Sequence, residues 1–168
     1  MTNEQSAWDQ WLASLPPQQR AAAIALRNRF ARLGADRPEE WAQSELFEHL
    51  PQLARFLLLR RLWNEAINSW ENQGAVENVP AAARLLAAGA DRADVVLTMR
   101  AAAFEAVFAT LTAIDEGGST APGDQPLPGW SLHETDAVDH HTRQRLGGLH
   151  ESLGETDPSG HQAQDLWT

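Results

Sequence analysis

Histidine and carboxylate residues are concentrated in the last quarter of the chain. Five of the six histidines lie between residues 133 and 161, interleaved with aspartate and glutamate: His133, His140, His141, His150 and His161. Imidazole and carboxylate groups are common ligands of zinc, manganese and non-haem iron, and they also form general acid–base pairs. The residue types in this cluster are therefore compatible with two kinds of chemistry, metal-dependent catalysis and proton transfer.

The spacing within this cluster matches no established metal motif, because the sequence contains neither HExxH nor an EF-hand loop. The adjacent pairs His133-Glu134 and His150-Glu151 direct their two side chains differently on a strand or a helix. A solvated acidic surface explains the cluster as well as a metal site does. We expect no cofactor; the alternative is a divalent metal ion held by His133, His140, His150 and Glu151.

Several other catalytic sites are excluded or disfavoured by composition. The chain has no cysteine, which rules out disulfides, thiolate metal sites and a cysteine nucleophile. It also has no lysine, so Gly147-Gly148 cannot belong to a standard phosphate-binding loop. Ser152 and Ser159 lie near histidines but outside any GxSxG context. The sequence therefore favours a non-enzymatic protein over an enzyme.

Charge is distributed unevenly along the chain. The net charge is −10, and residues 115–168 hold ten acidic residues against two arginines, a net charge of −8. Such a surface repels nucleic acid and speeds association with basic proteins. The N-terminus lacks the features of a signal peptide, and Glu105 interrupts the apolar stretch at 101–108. We therefore expect a cytoplasmic protein that binds neither nucleic acid nor membrane.

Proline, glycine and aspartate mark the ends of several amphipathic segments. They predict helices over residues 4–15, 17–33, 36–47, 52–71, 81–88 and 91–114. Asp36 and Asp91 are expected as N-caps, and Gly34, Gly74 and Gly89 as the residues that end helices. The last helix has the most regular apolar stripe: Leu97, Ala101, Phe104, Phe108 and Leu111.

The C-terminal part of the chain has a different character. The Gly- and Pro-rich segment 117–129 predicts a loop, residues 130–136 a short strand, and 137–142 a turn that returns the chain toward Leu146. An isolated hairpin is marginal in water, so apolar anchors should dock this part on the helices. Those anchors are Trp130, Leu132, Leu146, Leu149, Leu153 and Trp167.

The predicted fold is mainly α: a bundle of about five to six helices with a short C-terminal β-hairpin-like segment docked on it. At 168 residues the chain is short for two separate cores. We therefore expect one domain, made of a helical body (1–116), a loop (117–129) and an acidic, histidine-containing segment (130–168).

A short element near the C-terminus resembles a known pattern. Gly147-Gly-Leu-His-Glu-Ser-Leu153 followed by Asp157-Pro-Ser-Gly160 is similar to the end of a family of small bacterial helical proteins. The resemblance extends back to the segment 100–115. It implies a helical body, a Gly/Pro loop and a Trp-led strand, and it implies no activity or catalytic residue.

These observations lead to a main hypothesis and two alternatives. The main one is a protein-interaction or inhibitory protein, similar in kind to the immunity proteins of bacterial toxin systems, whose partner is another protein with a basic surface. Its predicted partner-binding residues are Trp130, Glu134, Asp136, Asp139 and Glu151. The alternatives are a metal-dependent enzyme with its site in the C-terminal segment, and a helical module that self-associates; the oligomeric state stays open.

Overall fold

The computed structural model describes residues 3–118 and 128–168, so most of the predicted Gly/Pro loop lies outside the described residues. It confirms the predicted fold class, since the described part is mainly helical, with six α-helices and a two-stranded antiparallel sheet at the C-terminus. By its contacts the chain divides into two compact units, Met1–Ala54 and Arg55–Thr168. The C-terminal segment belongs to the second unit. That the whole chain forms one domain stays a prediction.

Three helices make up the first unit: α1 (Asn3–Ser14), α2 (Pro17–Arg32) and α3 (Pro38–Glu48). Pro17 begins α2, as predicted, because proline needs no amide partner in the first turn of a helix. Arg20 then reaches back to the end of α1, where its guanidinium donates to the carbonyls of Leu12, Ala13 and Leu15 at 2.8, 3.2 and 3.1 Å. These bonds satisfy carbonyls that the end of a helix leaves without partners.

The core of the first unit is aromatic. Phe30 of α2 is fully buried and stacks on Trp41 of α3, with ring centroids 5.8 Å apart. The buried Trp8 packs against Trp11 within α1, at 5.0 Å between centroids. Aromatic side chains therefore provide the buried contacts of this unit, although Phe47, another apolar residue of α3, is 80% exposed.

The predicted start of α3 was wrong. Arg37, not Asp36, occupies the N-cap position, and it makes no side-chain capping bond. Pro38 takes the first helical position, where its fixed φ and missing N–H fit the helix. The start is therefore set by Pro38 and not by an aspartate side chain.

The helix predicted from residue 52 to residue 71 has that extent but changes its hydrogen bonding along the way. It begins as α4 (Gln52–Leu62), continues as a π-helix over Trp63–Ile67 and ends as a 3₁₀ turn over Asn68–Glu71. Trp63 and Ile67 are both fully buried, so the π-helix turns large side chains into the core. Gly74, which was predicted to end this helix, lies in the turn that follows it, with φ +83°.

Two further helices follow, α5 (Pro80–Ala87) and α6 (Arg92–Glu116). Asp91 caps α6 as predicted, since its side chain accepts a bond from the amide of Ala93 at 2.7 Å. Phe104 of α6 packs on Trp63, with ring centroids 5.7 Å apart, and Leu111 is buried. A second apolar cluster joins the two helices through Val76, Ala82, Val95 and Val96.

By length and composition, α6 is the one described helix that could cross a membrane, with a mean hydropathy of 1.5 over 18 residues. That window contains two charged residues, Arg100 and Glu105. Core helices of globular proteins pass the same test. Arg100, near the middle of α6, is 11% exposed and pairs with Glu71 at 2.9 Å, whereas only 17% of the 18-residue window is buried.

After the loop come β1 (Leu132–Thr135) and β2 (His141–Leu146), which pair in antiparallel register with Leu132 opposite Leu146 and His133 opposite Arg145. We call residues 132–146 the hairpin and residues 147–168 the C-terminal strap. The strap contains two short 3₁₀ turns, Gly154–Thr156 and Gln164–Trp167. The predicted hairpin is thus confirmed, and residues 157–160 form a turn in which the amide of Gly160 donates to the carbonyl of Asp157 at 3.2 Å.

Candidate functional site

The C-terminal strap is held by buried leucines. Leu149 and Leu153 are fully buried and Leu166 is nearly so, although little of the strap is regular helix. Burying a leucine side chain stabilises a fold by about 1.5–3 kcal/mol, so these three anchors favour docking of the strap. Trp167, another predicted anchor, is 58% exposed, with its ring edge against Phe104 at 6.4 Å between centroids.

Two side chains, Arg55 of α4 and Trp63 of the π-helix, bind the backbone of the strap. The indole Nε1 of Trp63 donates to the carbonyl of Leu153 at 2.8 Å, in a fully buried bond. The guanidinium of Arg55 donates to the carbonyl of Gly148, and to Oγ of Ser152 at 2.6 Å. The hydroxyl of Ser152, which the sequence could pair with a histidine, is therefore bound by an arginine.

His150 lies against the end of α6. Its ring Nδ1 is 2.7 Å from Oδ2 of Asp115, and its backbone amide donates to the same oxygen at 3.1 Å. A carboxylate that orients an imidazole is also found beside catalytic bases. Among the described residues, the hydrogen-bond partner of the His150 ring is Asp115 and not a hydroxyl group. The pair joins the strap to α6.

Asp157 organises the turn at the end of the resembling element. It is 2% exposed, and its carboxylate accepts from the amide and the hydroxyl of Ser159 and from the amide of Ala163, at 2.8, 2.8 and 2.9 Å. Three donors satisfy a charge that would otherwise be costly to bury. Leu149, His150, Ser152, Leu153 and Asp157 therefore all have structural contacts.

The end of the strap is fixed by Arg100 of α6. Its guanidinium donates to Oδ1 of Asn68 at 2.9 Å, and it pairs with Glu71 at 2.9 Å and with Asp165 at 3.5 Å. Arg55, Arg100 and Asp115 were not singled out as partners of the strap from the sequence. They lie from 35 to 97 residues away from the groups they bind, and no local motif marks such a distance.

The hairpin, in contrast, is almost entirely exposed. Along β1 and β2 only Leu146 is buried and only Glu134 is half-buried. Val138, at the turn, is 67% exposed and Leu132 is 36% exposed. The hairpin is therefore attached at its base, where Leu146 is buried and the guanidinium of Arg145 donates to the carbonyl of Asp115 at 2.8 Å.

Asp136 shapes the turn of the hairpin. Its Oδ1 accepts from the amides of Val138 and His140 at 2.9 and 3.0 Å. The bond from His140, followed by the one from Val138, holds the pKa of the Asp136 carboxyl below its ordinary value of 3.8. A charged Asp136 is thus part of the turn, as an Asx-type bond is in many hairpins.

The predicted partner-binding residues do not form one patch. Glu134, Asp136 and Asp139 lie on β1 or in the turn, and Glu134 accepts a bond from the hydroxyl of Thr142 at 2.8 Å. Trp130 precedes β1 and is 52% exposed, while its indole donates to the carbonyl of Ala113 at 2.8 Å. Glu151 is exposed on the strap. Three of the five residues are therefore brought together, on the hairpin.

The predicted metal ligands have three different neighbours. The ring of His133 lies against that of His141, at 6.4 Å between centroids, and His140 faces Asp136 at 3.5 Å. His150 contacts Asp115. Among residues 3–118 and 128–168, no three histidine, aspartate or glutamate side chains are grouped so that they could hold a metal ion.

The fold and this arrangement describe a mainly helical protein with a C-terminal strap anchored by buried leucines and an exposed hairpin with three acidic residues and two arginines. Comparison of the chain with protein-family models, with curated proteins and with solved structures finds no match.

Proposed function

We propose that this protein is a non-enzymatic interaction protein that binds, and inhibits, another protein through the hairpin. The observation that carries the proposal is the contrast in exposure within the C-terminal segment. The strap buries its leucines, whereas the strands of the hairpin are exposed except at Glu134 and Leu146. A two-stranded hairpin without a covering layer is marginal in water, so a binding partner would stabilise it.

The charges of the hairpin support a partner with a basic surface. All three of its acidic residues, Glu134, Asp136 and Asp139, lie on β1 or in the turn, whereas its arginines, Arg143 and Arg145, lie on β2. The acidic residues therefore lie in or next to the turn, at the end of the hairpin away from Leu146. Acidic surfaces speed association with basic proteins, and the net charge of the whole chain adds to this effect.

The backbone of the hairpin supports the same proposal. In a two-stranded sheet both strands are edge strands, with N–H and C=O groups directed outward. A partner can add a strand to such an edge, and side chains then provide specificity. We infer that the partner contacts the β1 edge, where Leu132 is exposed beside Glu134.

Site-specific photo-crosslinking tests this function in the cells that make the protein. Benzoylphenylalanine replaces Val138 at the tip of the hairpin, and in a control protein it replaces Leu85, which is exposed on α5. We expect one protein to be cross-linked from position 138 and not from position 85. Equal cross-linking from both positions, or none from position 138, would contradict the proposal.

Purified partner then allows a test of the charges. Glu134→Gln with Asp139→Asn should slow association by a factor of about 3–10, and less so at high salt. The control is Asp94→Asn with Glu105→Gln, which removes the same charge from exposed positions on α6. Equal effects of the two double variants would show that the hairpin does not guide binding.

A further inference from the structure

The first unit contains an open groove, independent of the hairpin. It encloses about 360 Å³ and is lined by Trp11, Glu40, Gln43, Ser44, Phe47 and Glu48. The last five residues recur at steps of three and four on α3 and therefore share one face of that helix. Trp11 of α1 completes the groove, so two helices form its walls.

Aromatic side chains provide the apolar part of the groove. Phe47 is 80% exposed, the largest exposure among the large apolar side chains of the described residues. Trp11 is half-buried and packs against the buried Trp8, at 5.0 Å between ring centroids. An indole packed in this way has a fixed position, which lowers the entropy lost when a ligand stacks on it.

A carboxylate is held in place at the same groove. Glu48 accepts a bond from Oγ of Ser44 at 2.5 Å, and Ser44 in turn accepts one from the side-chain amide of the buried Gln52 at 2.7 Å. The bond from Ser44 engages Oε2 of Glu48, whereas Oε1 of Glu48 has no donor among the described residues. Glu40 adds a second negative charge, although it also pairs with Arg37 at 2.9 Å.

We propose that this groove binds an arginine side chain from a basic protein segment. The guanidinium is planar, so it stacks on an aromatic ring while its N–H groups donate to a carboxylate. Trp11 and Phe47 provide the rings, and Glu48 provides the acceptor. None of the described residues that line the groove is basic, so its charge is complementary to a cation.

Peptide binding to the full-length protein tests this proposal. The probe is an acetylated, fluorescein-labelled peptide in which two arginines flank a leucine, and the matched peptide has glutamine in place of both arginines. Fluorescence polarisation at low ionic strength should show binding of the arginine peptide and at least tenfold weaker binding of the glutamine peptide. Equal affinity for the two peptides, or no binding of either, would overturn the proposal.

Single substitutions test whether the arginine peptide binds in the groove. Phe47→Ala should weaken binding about threefold to fivefold through loss of ring stacking. Glu48→Gln should weaken it about tenfold through loss of a charge-assisted bond. Matched controls are Ile24→Ala and Asp36→Asn, both at exposed positions of the first unit outside the groove. The inference fails if the controls weaken binding as much as the groove variants do. The hairpin experiments are not affected by that result.

Discussion

One oxygen of Asp115, Oδ2, contacts both the ring Nδ1 and the backbone amide of His150, at 2.7 and 3.1 Å. Asp115 lies in the last turn of α6 and its side chain is 8% exposed. A single buried carboxylate therefore joins the longest helix to the beginning of the C-terminal strap. The sequence does not indicate this Asp115–His150 pair, because the two residues are 35 positions apart.

This bond predicts a coupled loss of stability. His150→Ala should lower the free energy of unfolding by about 1–3 kcal/mol, because it leaves a buried carboxylate with fewer partners. Asp115→Asn should lower it as well, and the double variant should cost less than the sum of the two, by about 0.5–3 kcal/mol. Urea unfolding followed by circular dichroism measures all three, with His161→Ala as an exposed control. Strictly additive losses would contradict the pairing.

The two ion-pair environments around Arg100 and Arg92 provide a matched comparison. Arg100 is 11% exposed and contacts Glu71, Asp165 and Asn68, so Arg100→Ala should cost about 3 kcal/mol. Arg92 pairs with Glu77 on the surface, where such pairs contribute little. Arg92→Ala should therefore leave the urea midpoint close to that of the unchanged protein. Similar midpoints for the two variants would show that the Arg100 contacts do not hold the strap.

Two indoles that donate to backbone carbonyls at the same distance should contribute differently to the free energy of unfolding. Trp63 and Trp130 each donate to a backbone carbonyl at 2.8 Å, but Trp63 is fully buried and Trp130 is 52% exposed. Trp63→Phe leaves the carbonyl of Leu153 without its donor in the core and should cost about 2–4 kcal/mol. In Trp130→Phe, water can donate to the carbonyl of Ala113 in place of the indole, so this variant should lose less stability than Trp63→Phe. A thermal unfolding comparison in which Trp130→Phe is the less stable variant would refute this view of the strap.

The turn of the hairpin should respond to acid. The bonds from the amides of His140 and Val138 lower the pKa of Asp136, so the charged form is favoured in the folded turn. The resulting stabilisation is present above the ordinary pKa of 3.8 and is lost as pH falls through the lowered value. In NMR spectra the amide shifts of Val138 and His140 should titrate together with a midpoint below 3.8. A midpoint at or above that value would be inconsistent with these bonds, and Asp136→Ala should abolish the transition.

Local signals in the sequence predicted most of the helices. Asp91 begins α6 because its side chain binds the amide of Ala93, and Pro17 begins α2 because proline suits the first turn. The start of α3 was missed because Pro38, and not the neighbouring Asp36, sets it. The π-helix at Trp63–Ile67 has no sequence signal, since its geometry follows from packing of the two largest side chains in it.

The contacts that define the candidate site could not be predicted in the same way. Arg55 and Ser152 are 97 residues apart, and Asp115 and His150 are 35 residues apart, so no periodicity relates them. The acidic residues of the C-terminal segment look like one cluster in the sequence. In the structure Asp157 is buried in a turn, Glu151 lies on the strap, and Glu134 and Asp139 lie on the hairpin. The sequence alone does not show which acidic residues are buried, so it cannot distinguish those that stabilise the fold from those exposed on the surface.

Amide hydrogen exchange of the free protein tests most directly whether the strap is part of the core and the hairpin is free for a partner. The amides of Thr156 and Ala163 are bonded within the strap at 3.3 and 2.9 Å and should open only with global unfolding. Those of β1 and β2 should exchange faster by a factor on the order of a hundred, through local opening. Equal protection of hairpin and strap, or an unprotected strap, would contradict the account.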